Sequence, residues 1–464
     1  MNRLSHEERA IVARFVSAYD LRSLREGSVH LCDAVDEVVD RLKVKDGIPI
    51  EIFGRLVARF GRRLTTLGFN SNDKGGLAAQ LQLLDEGCPA LTGLYFGNGQ
   101  ILDGIDVDQY SLFKRLRHLS VSTNDPRHLA SLVPGLRSLS VVVSCRPHRL
   151  EALTSLSGLT RLDFYVTGGC LTSIGPLSSL TDLKSLSING ARHVADLSPL
   201  SGLTGLTDLD MTIMDDVRTH APLEGLTGLR RLALDVRGDA GEVVAKLPRL
   251  SGLRAIGIHT KHRFLVECRA LEDLEAQDSY LDVRELPASL KRLCVFDSHL
   301  PRNMPEIDSR LPSLICLQTV GVTWTRAALA AVARLPKLEA LCICECDARS
   351  DKINVDILAE LAPVLPALRF LDISHTKIDD IARLAAASRL EKLDICGTPV
   401  NTVCPLISLG SLNTIVLSAC TAYEGVGLLP PGVADPDARN GGIAAVFEGW
   451  VLRPAGWAGF AATV

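Results

Sequence analysis

A Leu-x-x-Leu-x-apolar pattern opens at Leu64-x-x-Leu67-x-Phe69 and closes at Leu412-x-x-Ile415-x-Leu417. Between these ends, further copies start at Leu91, Leu116, Leu136, Leu159, Leu183, Leu206, Leu229, Leu253, Leu271, Leu290, Leu317, Leu338, Leu368 and Leu390, sixteen in all. The central copies stand 24, 23, 23 and 24 residues apart, from Leu159 to Leu253. Side-chain direction alternates along a strand, so the second leucine and the apolar residue two positions on share one face. One short strand per copy therefore cannot bury its apolar face alone. Stacking the strands in parallel lets each coil cover its neighbour, and each fully buried leucine then contributes on the order of 1.5 to 3 kcal/mol. A chain of 464 residues organised this way grows along one axis and does not divide into ordinary globular domains.

The stretches LTSIGPLSSLTDLKSLSINGARHVADLSPLSGLTGLTDLDM, LRFLDISHTKIDDIARL and LEKLDICGTPVNTVCPL resemble the short repeats of internalins and of trypanosomatid leucine-rich-repeat proteins, some of which are labelled adenylate cyclase regulators. The period lies within the leucine-rich-repeat range of about 20 to 29 residues. The resemblance implies an α/β solenoid: an arc with parallel strands on its concave face, short 3₁₀, irregular or helical convex segments, and a helical N-terminal cap. It also implies that Asp196-Leu197-Ser198-Pro199-Leu200 and Asp380-Ile381-Ala382-Arg383-Leu384 form return legs. Pro176, Pro199, Pro222 and Pro405 suit legs without regular helical hydrogen bonds. In the family a buried Asn or Cys stands eight residues after the first leucine. That column holds Asn124, Cys346 and Cys420 here, with Thr167, Thr325, Thr376 and Thr398 elsewhere, while Ala191, Met214, Arg237 and Lys261 depart from it. Copies at Leu253, Leu271 and Leu290 imply short coils, and the long one between Leu338 and Leu368 carries Ile353, Ile357, Leu358 and Leu361 at helical spacing.

Three regions are expected: a helical cap over residues 1–62, repeats over 63–422, and an irregular C-terminal cap or tail over 423–464. Ile11, Val12, Phe15 and Val16, then Ala34, Val35, Val38, Val39 and Leu42, recur at helical spacing. A plain cap satisfies this pattern. The segment LSHEERAIVARFVSAYDLRSLREGSVHLCDAVDEVV also resembles an F-box, with Leu4, Val12, Phe15, Asp20, Leu21, Leu24 and Val29 at its apolar and turn positions. That resemblance implies a Skp1-like adaptor as partner and a substrate-recognition role in a ubiquitin ligase.

Against these readings stand few competing chemistries. The 50 Lys and Arg against 54 Asp and Glu leave a net charge of −4, and the basic residues are scattered, so no nucleic-acid partner is expected. Thirteen cysteines without dense regular spacing read as free thiols of a reducing compartment. Arg3, Glu7, Glu8, Arg9 and Arg14 break any leader-like apolar core, and Glu448, Arg453 and Pro454 break the apolar tail. A cytoplasmic protein without membrane insertion is the expectation.

Cys342-x-Cys344-x-Cys346 is a cysteine cluster, but no second pair with zinc-ligand spacing lies near it in sequence. Gly97-Asn98-Gly99 lacks the third glycine and the helix of a phosphate loop. No catalytic motif and no ligand-spaced histidine pair occurs, so neither cofactor, metal nor enzymatic activity is expected.

The concave strand face then carries the functional expectation. Its outward positions read Arg161, Asp163, Tyr165; Ser185, Ser187, Asn189; Asp208, Asp210, Thr212; Arg231, Ala233, Asp235; and Ala255, Gly257, His259. Asp372 and Asp394 extend its acidic character. A protein partner is expected on this face, with Arg161, Asp163, Tyr165, Asp208, Asp210, Arg231, Asp235 and His259 as contacts. A merely solvated sheet face is the alternative for any one of them.

Overall fold

Strand pairing follows the leucine frame. The computed structural model describes residues 41–44, 48–69, 74–96, 107–123, 135–144, 150–167, 171–259, 263–296, 298–299, 301–322, 324–344, 356–417, 420, 424–429 and 434–435. The chain divides into two compact units, residues 1–226 and 227–464.

In the first unit the strands are β1 (Arg41–Lys43), β2 (Thr66–Phe69), β3 (Gly93–Phe96), β4 (His118–Thr123), β5 (Ser138–Ser144), β6 (Arg161–Thr167), β7 (Ser185–Asn189) and β8 (Asp208–Met211). Each pairs in parallel with the next, and Leu42, Leu67, Leu94, Leu119, Leu139, Leu162, Leu186 and Leu209 lie in one register column. All eight are buried. Helical spacing assigns Leu42 to a cap helix, yet it is the inward residue of β1. The polar–apolar alternation of Arg41-Leu42-Lys43-Val44 fits a strand period, and pairing with β2 decides in its favour. Helix α1 (Ile50–Phe60) follows and buries Phe53, Leu56 and Val57. Phe53 packs on Phe69, and Phe69 on Phe96, with ring centroids 5.2 and 5.3 Å apart. The F-box-like segment, Leu4 to Val39, lies outside the described residues.

The return legs of this unit form 3₁₀ turns at Gly175–Ser179, Ser198–Leu200 and Ala221–Leu223, with Pro176, Pro199 and Pro222 in their first turns. Proline suits these positions because its missing N–H is one the turn does not use. Asp196 initiates its leg: its carboxylate accepts from the Ser198 amide at 2.8 Å. Gly190 closes β7 with φ +78°, and a Cβ there would stand 2.3 Å from the Val166 carbonyl oxygen. Left-handed backbone on a residue with a side chain costs about 1–3 kcal/mol before any clash. Gly190→Ala should therefore lower the denaturation midpoint visibly, whereas Gly202→Ala, where a Cβ meets nothing within 4 Å, should change stability by less than about 0.5 kcal/mol. Equal melting of the two variants would disprove this turn.

In the second unit the strands are β9 (Arg231–Asp235), β10 (Gly252–Ile256), β11 (Asp273–Gln277), β12 (Arg292–Phe296), β13 (Cys316–Val320), β14 (Ala340–Cys344), β15 (Phe370–Asp372), β16 (Lys392–Asp394), β17 (Thr414–Val416) and β18 (Ala434–Asp435). They too pair in parallel and in sequence order. Register aligns Leu232 with Leu253 and Leu293 with Leu317. Leu253 and Leu317 are thus second leucines, and their copies start at Leu250 and Leu314. The eighteen-residue coil implied by starts at Leu253 and Leu271 disappears; the starts Leu229, Leu250 and Leu271 stand 21 residues apart. The polar column moves with the frame. Lys261 is replaced there by buried Ile258, and Thr325 is instead the N-cap of the helix Arg326–Val332, its hydroxyl accepting from the Ala328 amide at 3.2 Å. Thr376 and Thr398 do hold the column, donating at 2.7 and 2.6 Å to the carbonyls of Ile373 and Ile395. Asn124 and Cys346 lie outside the described residues.

Return legs here mix 3₁₀ turns, such as Cys404–Leu406 with Pro405, and short helices, such as Ala240–Ala245 and Ile357–Glu360. Asp380 accepts from the Ala382 amide at 2.8 Å, the same turn that Asp196 makes. Asp356 caps the helix in the long coil, accepting from the Ala359 amide at 3.0 Å. Among the described residues no helix is long and apolar enough to cross a membrane.

Candidate functional site

On the outward side of β6, Arg161, Asp163 and Tyr165 are half-buried while Leu162, Phe164 and Val166 point inward and are buried. Arg161 Nε donates to Asp163 Oδ2 at 3.0 Å, so this pair is fixed within one strand. Asp208 is half-buried on β8 and accepts from the Thr207 hydroxyl at 2.6 Å. Asp210 departs from the expectation of a solvent-facing acid: it is 6% exposed. Thr212 donates its amide to Asp210 Oδ1 at 3.2 Å and its hydroxyl to Asn189 Oδ1 at 2.7 Å, and Asn189 Nδ2 donates to Ser187 Oγ at 2.8 Å. Ser187, Asn189, Asp210 and Thr212 thus form a buried hydrogen-bonded group, which satisfies polar atoms withdrawn from water. Side chains this short on adjacent strands bond to one another more readily than they reach outward.

Arg231 and Asp235 belong to the second unit, half-buried on the outward side of β9, with Arg237 Nη2 3.8 Å from Asp235. The three-residue change of frame inverts the faces of β10. Ala255 is fully buried, and Arg254 and Ile256 face outward. Arg254 Nε lies 2.8 Å from Glu275 of β11, and Arg292 of β12 pairs with Asp273. His259 lies beyond the end of β10, exposed, and its ring stacks on Tyr280 at 5.6 Å; Tyr280 stacks on His299 at 4.8 Å. Three successive coils therefore contribute one ring each to a column just past the strand ends. Sequence reasoning singled out His259 but neither Tyr280 nor His299, whose alignment depends on the corrected frame.

A second cluster occupies β13 to β17. Cys342 and Cys344 face away from Leu341 and Ile343, as alternation requires, yet both are fully buried, because Cys316, Val320, Ala340, Phe370 and Val416 gather with them into an apolar group. Register pairs Cys342 with Asp372 and Asp372 with Asp394. Cys342 Sγ lies 3.5 Å from Cys344 Sγ and 3.4 Å from Asp372 Oδ2. Asp372 Oδ1 accepts from the amide and the hydroxyl of Ser374 at 2.9 and 2.6 Å. Burial pushes the Cys342 thiol well above the usual thiol range and raises the Asp372 carboxyl. Asp394 is pushed up to about 7, by burial and then by the charge of Asp372. Asp372 and Asp394 are accordingly no extension of an exposed acidic face; both are buried.

No protein-family model matches the sequence, and no curated protein matches it. Solved structures do. An internalin of Listeria monocytogenes is 20% identical over 66% of this chain and 82% of its own, with a TM-score of 0.39. A leucine-rich-repeat protein of Leptospira interrogans is 16% identical over 84% of this chain and 99% of its own, at 0.44. The plant peptide hormone receptor RGFR1, in complex with RGF2, is 17% identical over 80% of this chain and 64% of its own, at 0.37. These likenesses are distant, and the fold rests on the register-locked leucine column within each unit. The fold is a leucine-rich-repeat fold. In a leucine-rich-repeat chain the inward positions are committed to the core, so any recognition chemistry falls to side chains left outside it.

Proposed function

We propose that this chain is a non-enzymatic protein-binding scaffold, located in the cytoplasm, which holds a partner protein on its outward strand positions and adjoining loops. The observation that carries this reading is Tyr280, 42% exposed and held between His259 and His299. A tyrosine restrained on both faces loses little freedom on binding and presents a hydroxyl with a large apolar ring, the profile of an interface anchor. Arg231, Asp235 and the Arg254–Glu275 pair supply polar groups for the rim of this surface. In the first unit Arg161, Asp163, Tyr165 and Asp208 make a separate candidate row, with the buried Asp210 supporting it from below. The free thiols, among them the buried Cys88, Cys268 and Cys316, support placement in a reducing compartment.

Proteins that co-purify with the chain from its native cells, once identified and produced, provide the test. Tyr280→Ala should weaken the Kd of the direct partner by about thirtyfold or more, the effect of losing an anchor of about 2 kcal/mol. Asp208→Lys, which alters the first unit alone, separates the two rows. An unchanged Kd in both variants, with unchanged melting, rejects the reading.

A further inference from the structure

We propose that Cys342, Cys344 and Asp372 form a buried binding site for a thiophilic divalent cation of the zinc class. Strand alternation places the two thiols on one side of β14, and the parallel register of β15 brings the carboxylate to the same point. The three ligand atoms all lie within 4.8 Å of one another. Tetrahedral zinc with bonds of about 2.3 Å to sulfur and about 2.0–2.2 Å to oxygen requires ligand separations of about 3.8 Å between sulfurs and about 3.5–3.7 Å from sulfur to oxygen. The Cys342–Cys344 and Cys342–Asp372 separations of 3.5 and 3.4 Å lie within a few tenths of an ångström of those edges, and the third edge, from Cys344 Sγ to Asp372, is within 4.8 Å.

The surroundings favour the same assignment. Ser374 donates two hydrogen bonds to Asp372 Oδ1 and leaves Oδ2 directed at Cys342, the outer-shell orientation that metal-ligating carboxylates carry. The shell of Cys316, Val320, Ala340, Phe370 and Val416 is buried and apolar. Calcium and magnesium require many oxygen ligands, which two thiols and one carboxylate in an apolar shell do not supply, whereas thiolate ligands suit zinc. Four acidic groups, Cys342, Cys344, Asp372 and Asp394, are buried side by side. A divalent cation offsets two of the three negative charges that two thiolates and one carboxylate develop on losing their protons to solvent. The fourth corner is left to a ligand beyond these three. A bound cation would tie β14 to β15 where the intervening coil is longest, and the site is independent of the proposed partner surface.

Titration of the reduced, full-length protein with Co(II) as a probe tests the site. One equivalent should bind with a thiolate-to-cobalt charge-transfer band, and Zn(II) should displace it. The double variant Cys342→Ser and Cys344→Ser should lose the band, Asp372→Asn should weaken binding at least about tenfold, and Cys316→Ala should leave it unchanged. X-ray absorption of the zinc-loaded wild-type protein requires no variant to fold: two sulfurs at about 2.3 Å are expected. A folded, reduced wild-type protein without a stoichiometric band, a band that survives the double variant, or a zinc shell of nitrogen and oxygen alone overturns the proposal.

Discussion

Replacing Phe164 with alanine should destabilise the chain by about 3–5 kcal/mol, read as a lowered midpoint in urea denaturation followed by circular dichroism. Phe164 is 1% exposed and lies in register between Val141 and Ile188 on the inward side of the first unit. Truncating it removes the ring's transfer free energy and leaves a cavity that two neighbouring coils, each held by its own ladder, can close only in part. Tyr165, the next residue, stands on the other side of the same strand and is half-buried. Tyr165→Ala should cost under about 1.5 kcal/mol. The contrast between adjacent residues is the informative quantity, and similar losses in the two variants would mean that β6 does not alternate as described.

The second large effect concerns the frame of β10. Ala255→Arg should unfold the second unit or destabilise it by about 3 kcal/mol or more, because the site is fully buried and a guanidinium placed there has neither room nor a partner. Arg254→Ala, one position earlier, removes an outward side chain and one ion pair with Glu275, and should cost under about 1.5 kcal/mol. Soluble expression and thermal melting of both variants check this directly. A stable Ala255→Arg protein with a disrupted Arg254→Ala protein would restore the copy that starts at Leu253.

Those two frame changes show how far the fold was legible. Each of the sixteen leucine copies does yield a strand, since the pattern states the inward column outright. At Leu250-x-x-Leu253-x-Ala255 the third apolar position has shrunk to alanine, and Leu253, Ile256 and Ile258 offer a better-looking match three residues on. At Leu314-x-x-Leu317-x-Thr319 it has become a threonine, while Leu317, Val320 and Val322 compete. Thr319 is buried all the same, its hydroxyl donating to the Cys342 carbonyl at 3.2 Å. Hydrophobicity alone cannot separate such frames; pairing with the neighbouring strands does. A shift by an odd number of residues inverts a strand's faces, so the leucine pattern turns Ala255 outward where the structure buries it, while Arg161, Asp163 and Tyr165 keep the outward side of β6.

Candidate chemistry was less legible than the scaffold for a related reason. Asp372 meets Cys342 only because a long coil brings β15 back into register, and no local spacing encodes that meeting. Tyr280 meets His259 and His299 through loops that follow three different strands. Local signals fared better where the physics is local, as in the Asp196 and Asp380 turns and the proline-bearing 3₁₀ legs.

The central claim, that these copies stack as one register-locked row of parallel strands in each unit, is tested most directly by distance. Arg231, Arg292 and Lys392 occupy one register column, on β9, β12 and β16. Spin labels carried there in pairs by non-cysteine residues report their separations by pulsed electron resonance. At about 4.8 Å per strand, the Arg231–Arg292, Arg292–Lys392 and Arg231–Lys392 pairs should lie about 14, 19 and 34 Å apart along the row, before label length. Separations that grow with the number of strands crossed are the predicted result; three similar distances, or an Arg231–Lys392 pair closer than either of the others, would contradict the account.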